Sequence, residues 1–256
     1  MRHILVIFIL SFSVINFAQT DNVSKLKTDF ELAIVNSDKT LIQSLAKQLR
    51  PHYSRYELIY YKELLRSLPA NSILITNGKE DTFPIVIAQV VSHVNPTVDV
   101  VALNLLNKYS KYVVDTYSKY NLSSSFDKTS TSIYLTRILQ QSKAKVFISL
   151  TVSPSVFINH SNNLYLVGLS LQYKAKNQYK KLQEFYETSD FLIDLAPVLM
   201  SEKKLFSNYL APLLTLYKLK QEKGEKDKRL KPIIELLASH FGKTIPVTEI
   251  IKSYKK

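Results

Sequence analysis

Cysteine is absent from all 256 residues. That excludes disulfides, thiolate catalysis and Cys-ligated metals, and leaves no residue to carry a diacylglycerol anchor. Glycine is scarce, with 4 in the whole chain. So few argue against Gly-rich phosphate loops and against a turn-dense all-β fold. The histidines His3, His52, His93, His160 and His240 are scattered singly. With neither HxxxH nor HExxH spacing, no zinc site is expected. No GxSxG segment occurs, and Ser153 and His160 share a stretch without an acid to orient the imidazole. Glu80 and Asp81 are adjacent, so their carboxylates diverge and do not face each other as glycosidase chemistry requires. We therefore assign no catalytic residue, no metal and no cofactor.

Long hydrophobic runs are missing except for Ile4 to Ala18, which follows the basic Arg2. At about 15 residues the run is short for a membrane span, and no stop-transfer segment follows it. We read residues 1–18 as a signal peptide cleaved after Ala18. The mature chain is then expected to carry no transmembrane helix and to work in the periplasm, with association to an outer membrane or secretion as further destinations. Roughly 235 residues remain, enough for one sizeable domain or a domain with a helical extension.

Charge of one sign dominates. The formal net charge is +13, and lysine far exceeds arginine. No nucleic-acid-binding motif accompanies that charge, so a nucleic-acid partner is not expected. An exported basic protein more plausibly lies near anionic lipid or acidic glycan. The basic residues concentrate at Lys218, Lys220, Lys223, Lys226, Lys228, Arg229 and Lys231, interrupted by Glu222, Glu225 and Asp227. A run of mixed sign reads first as a solvated connection between helices.

Periodicity organises the chain into a 19–68 helical segment, a 69–176 α/β region and a 177–256 helical region. Leu26, Phe30, Ala33 and Ile34, then Leu41, Leu45, Ala46 and Leu49, recur at helical spacing. A third helix runs from about Ser54 to Ser67. Ser72 to Thr76 is a short apolar strand closed by Asn77-Gly78. Asp81 or Thr82 is expected to cap a helix over Phe83–His93, with Pro84 in its first turn where the missing N–H costs nothing. Val98 to Leu103 is a second β-branched strand, which completes a parallel, right-handed βαβ unit.

Helices are predicted over Leu105–Tyr120, with a tyrosine stripe at Tyr109, Tyr112, Tyr117 and Tyr120, and over Thr131–Gln141. Tyrosine is abundant, at 16, and such a stripe reads first as core or interface. Lys145–Val152 is a third strand. A polar loop over Ser155–Asn163 leads to a fourth, antiparallel edge strand over Asn163–Lys174. Beyond it, Leu205–Glu222 and Lys226–Phe241 form a tetratricopeptide-like αα-hairpin packed on the sheet region, without the repeats an array needs. The expected fold is α/β: a small, mostly parallel sheet of about four strands flanked by helices.

The stretch carrying Pro69, Asn71, Ile73, Leu74, Thr76, Asn77, Gly78, Asp81, Thr82, Phe83 and Pro84 resembles the hallmark of a bacterial membrane-protein family, domain of unknown function 2723, labelled protein O-mannosyltransferase-like. Val146 to Ser153, Gly168-Leu169, and Asn208 to Leu214 are similar to later blocks of that family, in the same order. The resemblance covers residues 54–245. Lys79-Glu80 and Ile85-Val86-Ile87 depart from the pattern. The family's multispanning membrane part, where sugar transfer is expected to reside, has no counterpart in this sequence. The resemblance therefore implies the family's soluble, exported domain and not a glycosyltransferase.

Open α/β sheets bind ligands outside strand carboxyl ends. The candidate ligand-binding residues are accordingly Asn77, Asp81 and Thr82, with Asn104 and Ser153 on the same rim. The competing reading makes Asn77-Gly78 a turn and Asp81 or Thr82 a helix cap. The leading function is a non-catalytic, exported interaction or accessory module of the cell envelope, with an envelope protein or glycan as partner. The alternative is a sugar- or nucleotide-like ligand-binding domain, or an enzyme, using the Asn77–Thr82 rim. A third reading is a helical adaptor with the sheet as scaffold.

Overall fold

The computed structural model describes residues 22–123, 130–193 and 204–241. The expected signal peptide lies outside them. Three helices come first: α1 (22–35), α2 (Lys39–Leu49) and α3 (Arg55–Arg66). Asp38 caps α2 by accepting from the Leu41 amide. Ser54 and Glu57 form a reciprocal capping box on α3.

β1 (Ile73–Thr76) is fully buried. Helix α4 (Lys79–Ser92) follows it, then β2 (Asp99–Ala102). α4 begins at Lys79, so neither Asp81 nor Thr82 is the cap. Gly78 holds the cap position, and Asp81, three residues on, reaches back to its backbone. The helix therefore starts a turn earlier than expected, and Pro84 sits inside it. A proline there orphans the carbonyl four residues before, that of Glu80. The Tyr61 hydroxyl donates to that oxygen at 3.1 Å, so α3 repairs the break.

β2 runs straight into α5 (Leu103–Lys108), and α6 (Ser110–Tyr120) follows. The expected single helix is thus two, broken where Tyr109 takes an extended conformation (φ −127°, ψ 110°). Tyr112 and Tyr117 of the tyrosine stripe are buried in the core.

α7 (Thr131–Gln141) leads to β3 (Val146–Ser149). The predicted polar loop after it contains a short helix, α8 (Pro154–Phe157), and a 3-10 turn over Ile158–Asn163. The predicted fourth strand is a hairpin of two: β4 (Leu164–Leu166) and β5 (Ser170–Tyr173). Gly168, at φ +88°, makes the turn between them, and the Val167 amide donates to the Ser170 carbonyl at 2.9 Å.

The sheet has five strands in the order β2-β1-β3-β5-β4. β1 pairs in parallel with β2 and β3, while β5 runs antiparallel to β3 and to β4. The α/β class with a mostly parallel centre and an antiparallel edge is therefore as expected, with one strand more. From β1 the chain crosses to β2 on one side, then passes back over β1 to β3 on the other. Right-handed crossovers in opposite directions place α4 and the α5–α7 segment on opposite faces. The loops after β1 and β3 part company between those two strands, which makes that gap the topological switch point.

The last described elements are α9 (Gln178–Thr188), α10 (Asp190–Ile193), a 3-10 turn over Lys204–Tyr209, α11 (Leu210–Glu222) and α12 (Leu230–Phe241). One continuous core joins the sheet, α3 and these helices, from Leu74 and Phe147 to Leu213 and Leu237. Buried Glu63 of α3 ties the two parts, accepting from Ser189 Oγ at 2.9 Å and Tyr209 Oη at 2.5 Å. A second, smaller cluster holds α1 and α2 against α3 and α4 through Phe30, Ala46, Leu49, Leu58, Phe83 and Ile87.

Candidate functional site

The carboxyl ends of β1, β2 and β3 lie along one edge, because the three strands are parallel. Asp81 is the most constrained residue there. It is buried, and its carboxylate accepts four hydrogen bonds. The Asn77 amide donates to Oδ2 at 2.8 Å, the Gly78 amide to Oδ1 at 2.8 Å and the Thr82 amide to Oδ1 at 2.9 Å. The fourth comes from the Thr151 hydroxyl, at 2.5 Å from Oδ2. Thr151 belongs to the loop after β3, so this contact bridges the switch point. Thr151 in turn lies 2.8 Å from Ser149 Oγ at the end of β3.

Burial pushes the Asp81 carboxyl above the usual aspartate range, against the pull of its four donors. Either protonation state is accommodated. A protonated Oδ2 can donate to Thr151, whose own hydroxyl then turns to Ser149.

Thr82 is also buried and turned inward. Its hydroxyl pairs with that of Thr76 at 2.7 Å. Asn77 is exposed. Its carbonyl accepts from the Asn104 amide at 3.1 Å, which ties the end of β1 to the start of α5. The Asn104 side chain leans on Gly78, close enough that a Cβ added there would lie 3.6 Å from Asn104 Cγ. Its Oδ1 is buried without a hydrogen-bond partner. Ser153 is exposed at the start of α8 and pairs with Ser155 at 2.8 Å. The structure thus brings Asn77, Asp81, Thr82 and Asn104 around one turn. Ser153 pairs instead with Ser155, while Thr151, two residues before it, is the residue that contacts Asp81.

Sequence reasoning missed Thr151, the partner that closes the switch point. Its signal was a pair of hydroxyl residues, Ser149 and Thr151, at the end of an otherwise apolar strand. A second polar group on the rim was also missed. Glu31 of α1 is wholly buried, and its Oε1 meets Lys108 Nζ at 2.5 Å and Tyr109 Oη at 2.6 Å. Lys79 Nζ lies 2.8 Å from Oε2, outside hydrogen-bond geometry. Burial pushes the Glu31 carboxyl up, but the hydrogen bonds from Lys108 and Tyr109 and the ammonium charge of Lys79 outweigh it and hold the pKa down at about 2. No periodicity in the sequence points from residue 31 to residues 79 and 108.

Among the described residues, no group of three or more His, Asp or Glu side chains is placed to hold a metal ion. No helix among them is long and apolar enough to cross a membrane. Part of the basic run around the α11–α12 connection is engaged by neighbouring groups. Lys220 Nζ lies 3.4 Å from Asp227, Lys231 pairs with Glu235 at 3.6 Å, and Lys223 sits 3.7 Å above the Tyr179 ring.

These features define an open α/β domain with a closed polar clasp at its switch point. The chain belongs to the TMEM260-associated domain 2 family, whose model matches residues 60–208. That span takes in the sheet, the Asn77–Asp81 turn and Thr151, and leaves α1 and α2 outside. No curated protein and no solved structure matches the chain.

Proposed function

We propose that the protein is an exported, non-catalytic interaction module of the cell envelope, recognising an envelope protein or glycan. The observation that carries this reading is the saturation of Asp81. Its carboxylate is spent on three backbone amides and Thr151, and Thr82 is spent on Thr76. A carboxylate engaged in this way holds the β1 turn to the β3 loop and has no lone pair directed at solvent for proton transfer. Its chemistry is that of the N3 acid of a capping box, reaching back to Gly78 and extended across the switch point to Thr151.

Export rests on the signal-peptide pattern of residues 1–18. The family's name associates this domain with TMEM260. The hallmark residues from Pro69 to Pro84 support equating it with the soluble part of the protein O-mannosyltransferase-like membrane proteins. Contact surface is available on the C-terminal hairpin, where Leu236 is exposed on α12 beside the basic run. Exposed apolar groups flanked by charge suit partner recognition.

The test is a pull-down from envelope extracts with the mature chain as bait. The reading expects a specific protein or glycan that wild-type chain and Asp81→Asn both recover once folded. Turnover of a substrate without recovery of any partner overturns it.

A second reading, ligand binding at the rim, is favoured by one feature: the buried Asn104 Oδ1 that lacks a donor beside exposed Asn77. It expects Asn77→Ala to lose a small polar ligand while the fold persists, as followed by calorimetric titration and circular dichroism.

A further inference from the structure

Glu31 brings a carboxylate to the carboxyl edge of the sheet, where α/β domains receive ligands. The groups that hold it come from the segments that follow two neighbouring strands. Lys79 follows β1, and Lys108 and Tyr109 follow β2. Both lysine ends remain partly open to solvent, with side-chain exposures of 37% and 54%, while the carboxylate is fully covered.

Desolvating the Glu31 charge offsets part of what its pairing contributes. The fit is also imperfect. Oε2 has no aligned donor, and Asn104 Oδ1, one helical turn before Lys108 on the same face of α5, has none either. The occupant and the cradle have different origins in the chain. Lys79, Lys108 and Tyr109 lie within the family's span of 60–208, whereas Glu31 lies before it. Helix α1 packs mainly on the smaller of the two core clusters, through Phe30, 5.0 Å between ring centroids from Phe83, and Ala33, while Val35 at its end joins the larger one.

We propose that Lys79, Lys108 and Tyr109 form a carboxylate-binding cradle at the rim, that Glu31 is its built-in occupant, and that the ligand it yields to is a carboxylate-bearing sugar. The two ammonium groups and the phenol take the carboxylate. The orphan Asn104 Oδ1 takes a hydroxyl donor a short distance away, which an acidic sugar supplies and a simple carboxylate does not. Lys108 Nζ lies 4.9 Å above the centroid of the Tyr109 ring, so the charge and the phenol stand side by side in the cradle. The cradle is separate from the Asp81 clasp and from the C-terminal hairpin, so its failure would leave the interaction reading standing.

The experiment is calorimetric titration of the mature chain with D-glucuronate, acetate, glucose and inorganic phosphate at neutral pH and low salt. Removing the internal competitor in Glu31→Gln is expected to tighten glucuronate by about tenfold or more. Adding Lys108→Gln to that variant is expected to abolish the gain, and Asn104→Ala to reduce glucuronate to the level of acetate. Glucose should give no heat. Glu31→Ala supplies a second readout: glucuronate should raise its thermal midpoint by several degrees, and glucose should not. Phosphate binding as well as glucuronate would overturn the assignment. So would folded Glu31→Gln and Glu31→Ala proteins that respond to no carboxylate.

Discussion

Replacing Asp81 by asparagine keeps the shape of the clasp and removes one acceptor. The amide nitrogen has two places to go. At the Oδ1 position it would face the amides of Gly78 and Thr82, and at the Oδ2 position only that of Asn77. The second orientation wins. It leaves one partly buried N–H without an acceptor and lets the new amide donate to Thr151. An unsatisfied buried donor costs about 1–3 kcal/mol. Part of that is offset, because burial already disfavours the charged carboxylate and a neutral side chain avoids the penalty.

We therefore expect a net loss of about 1–2 kcal/mol. For a chain of this size that is a fall of about 2–8 °C in thermal midpoint. Asp81→Ala strands all three amides together with Thr151, and should cost at least twice as much. Thermal and urea unfolding followed by far-UV circular dichroism measures both. The reasoning is refuted if Asp81→Asn melts with the wild type and yet abolishes partner recovery, because the carboxylate would then be serving a ligand and not the fold.

The acid limb of stability should carry the signature of Glu31. Its pKa falls from 4.5 to about 2 on folding, so below 4.5 the unfolded chain binds the extra proton. The contribution is full above pH 4.5 and is lost as pH falls toward 2. At about 1.4 kcal/mol per unit the shift corresponds to about 3 kcal/mol, and the solvent-exposed lysine ends screen this to about 1–2 kcal/mol. Urea midpoints taken from pH 6 to pH 2.5 should show Glu31→Gln losing less stability than wild type; parallel curves would contradict it. Asp81 acts with the opposite sign. Its raised pKa makes its contribution largest at low pH and smaller as pH climbs through the folded value.

Gly168→Ala should destabilise by about 2 kcal/mol or more, since φ is +88° there and the new Cβ would lie 3.1 Å from the Phe185 ring. Unchanged chemical denaturation would show that the β4–β5 turn can be rebuilt.

The central βαβ unit was legible because its signals are local. Ile73 to Thr76 is an apolar run ended by Asn77-Gly78, and Asp99 to Ala102 sits inside a β-branched run after Pro96. What escaped was decided by tertiary contacts or by single backbone positions. Alternation carried the reading of residues 163–174 straight through Gly168, although a lone glycine in a strand pattern marks a turn or bulge. The start of α4 was placed late because Asp81 was weighed as the cap itself. An acidic residue three places after Gly78 is also the far half of a capping box. The break at Tyr109 had no punctuation to reveal it. There the Tyr109 hydroxyl is drawn to Glu31, 78 residues earlier. The rim residues Asn77, Asp81, Thr82 and Asn104 were found by topology, whereas Thr151 and the Glu31 cradle depend on contacts between distant segments.

The most direct test of the account is photo-crosslinking in living cells with probes at exposed Leu236 and Ile158, read together with cell fractionation. The account expects the chain in the envelope fraction, with a defined adduct from at least one probe that survives Asp81→Asn. A chain confined to the cytosol, or one in the envelope that forms no adduct and turns over a substrate, would contradict it.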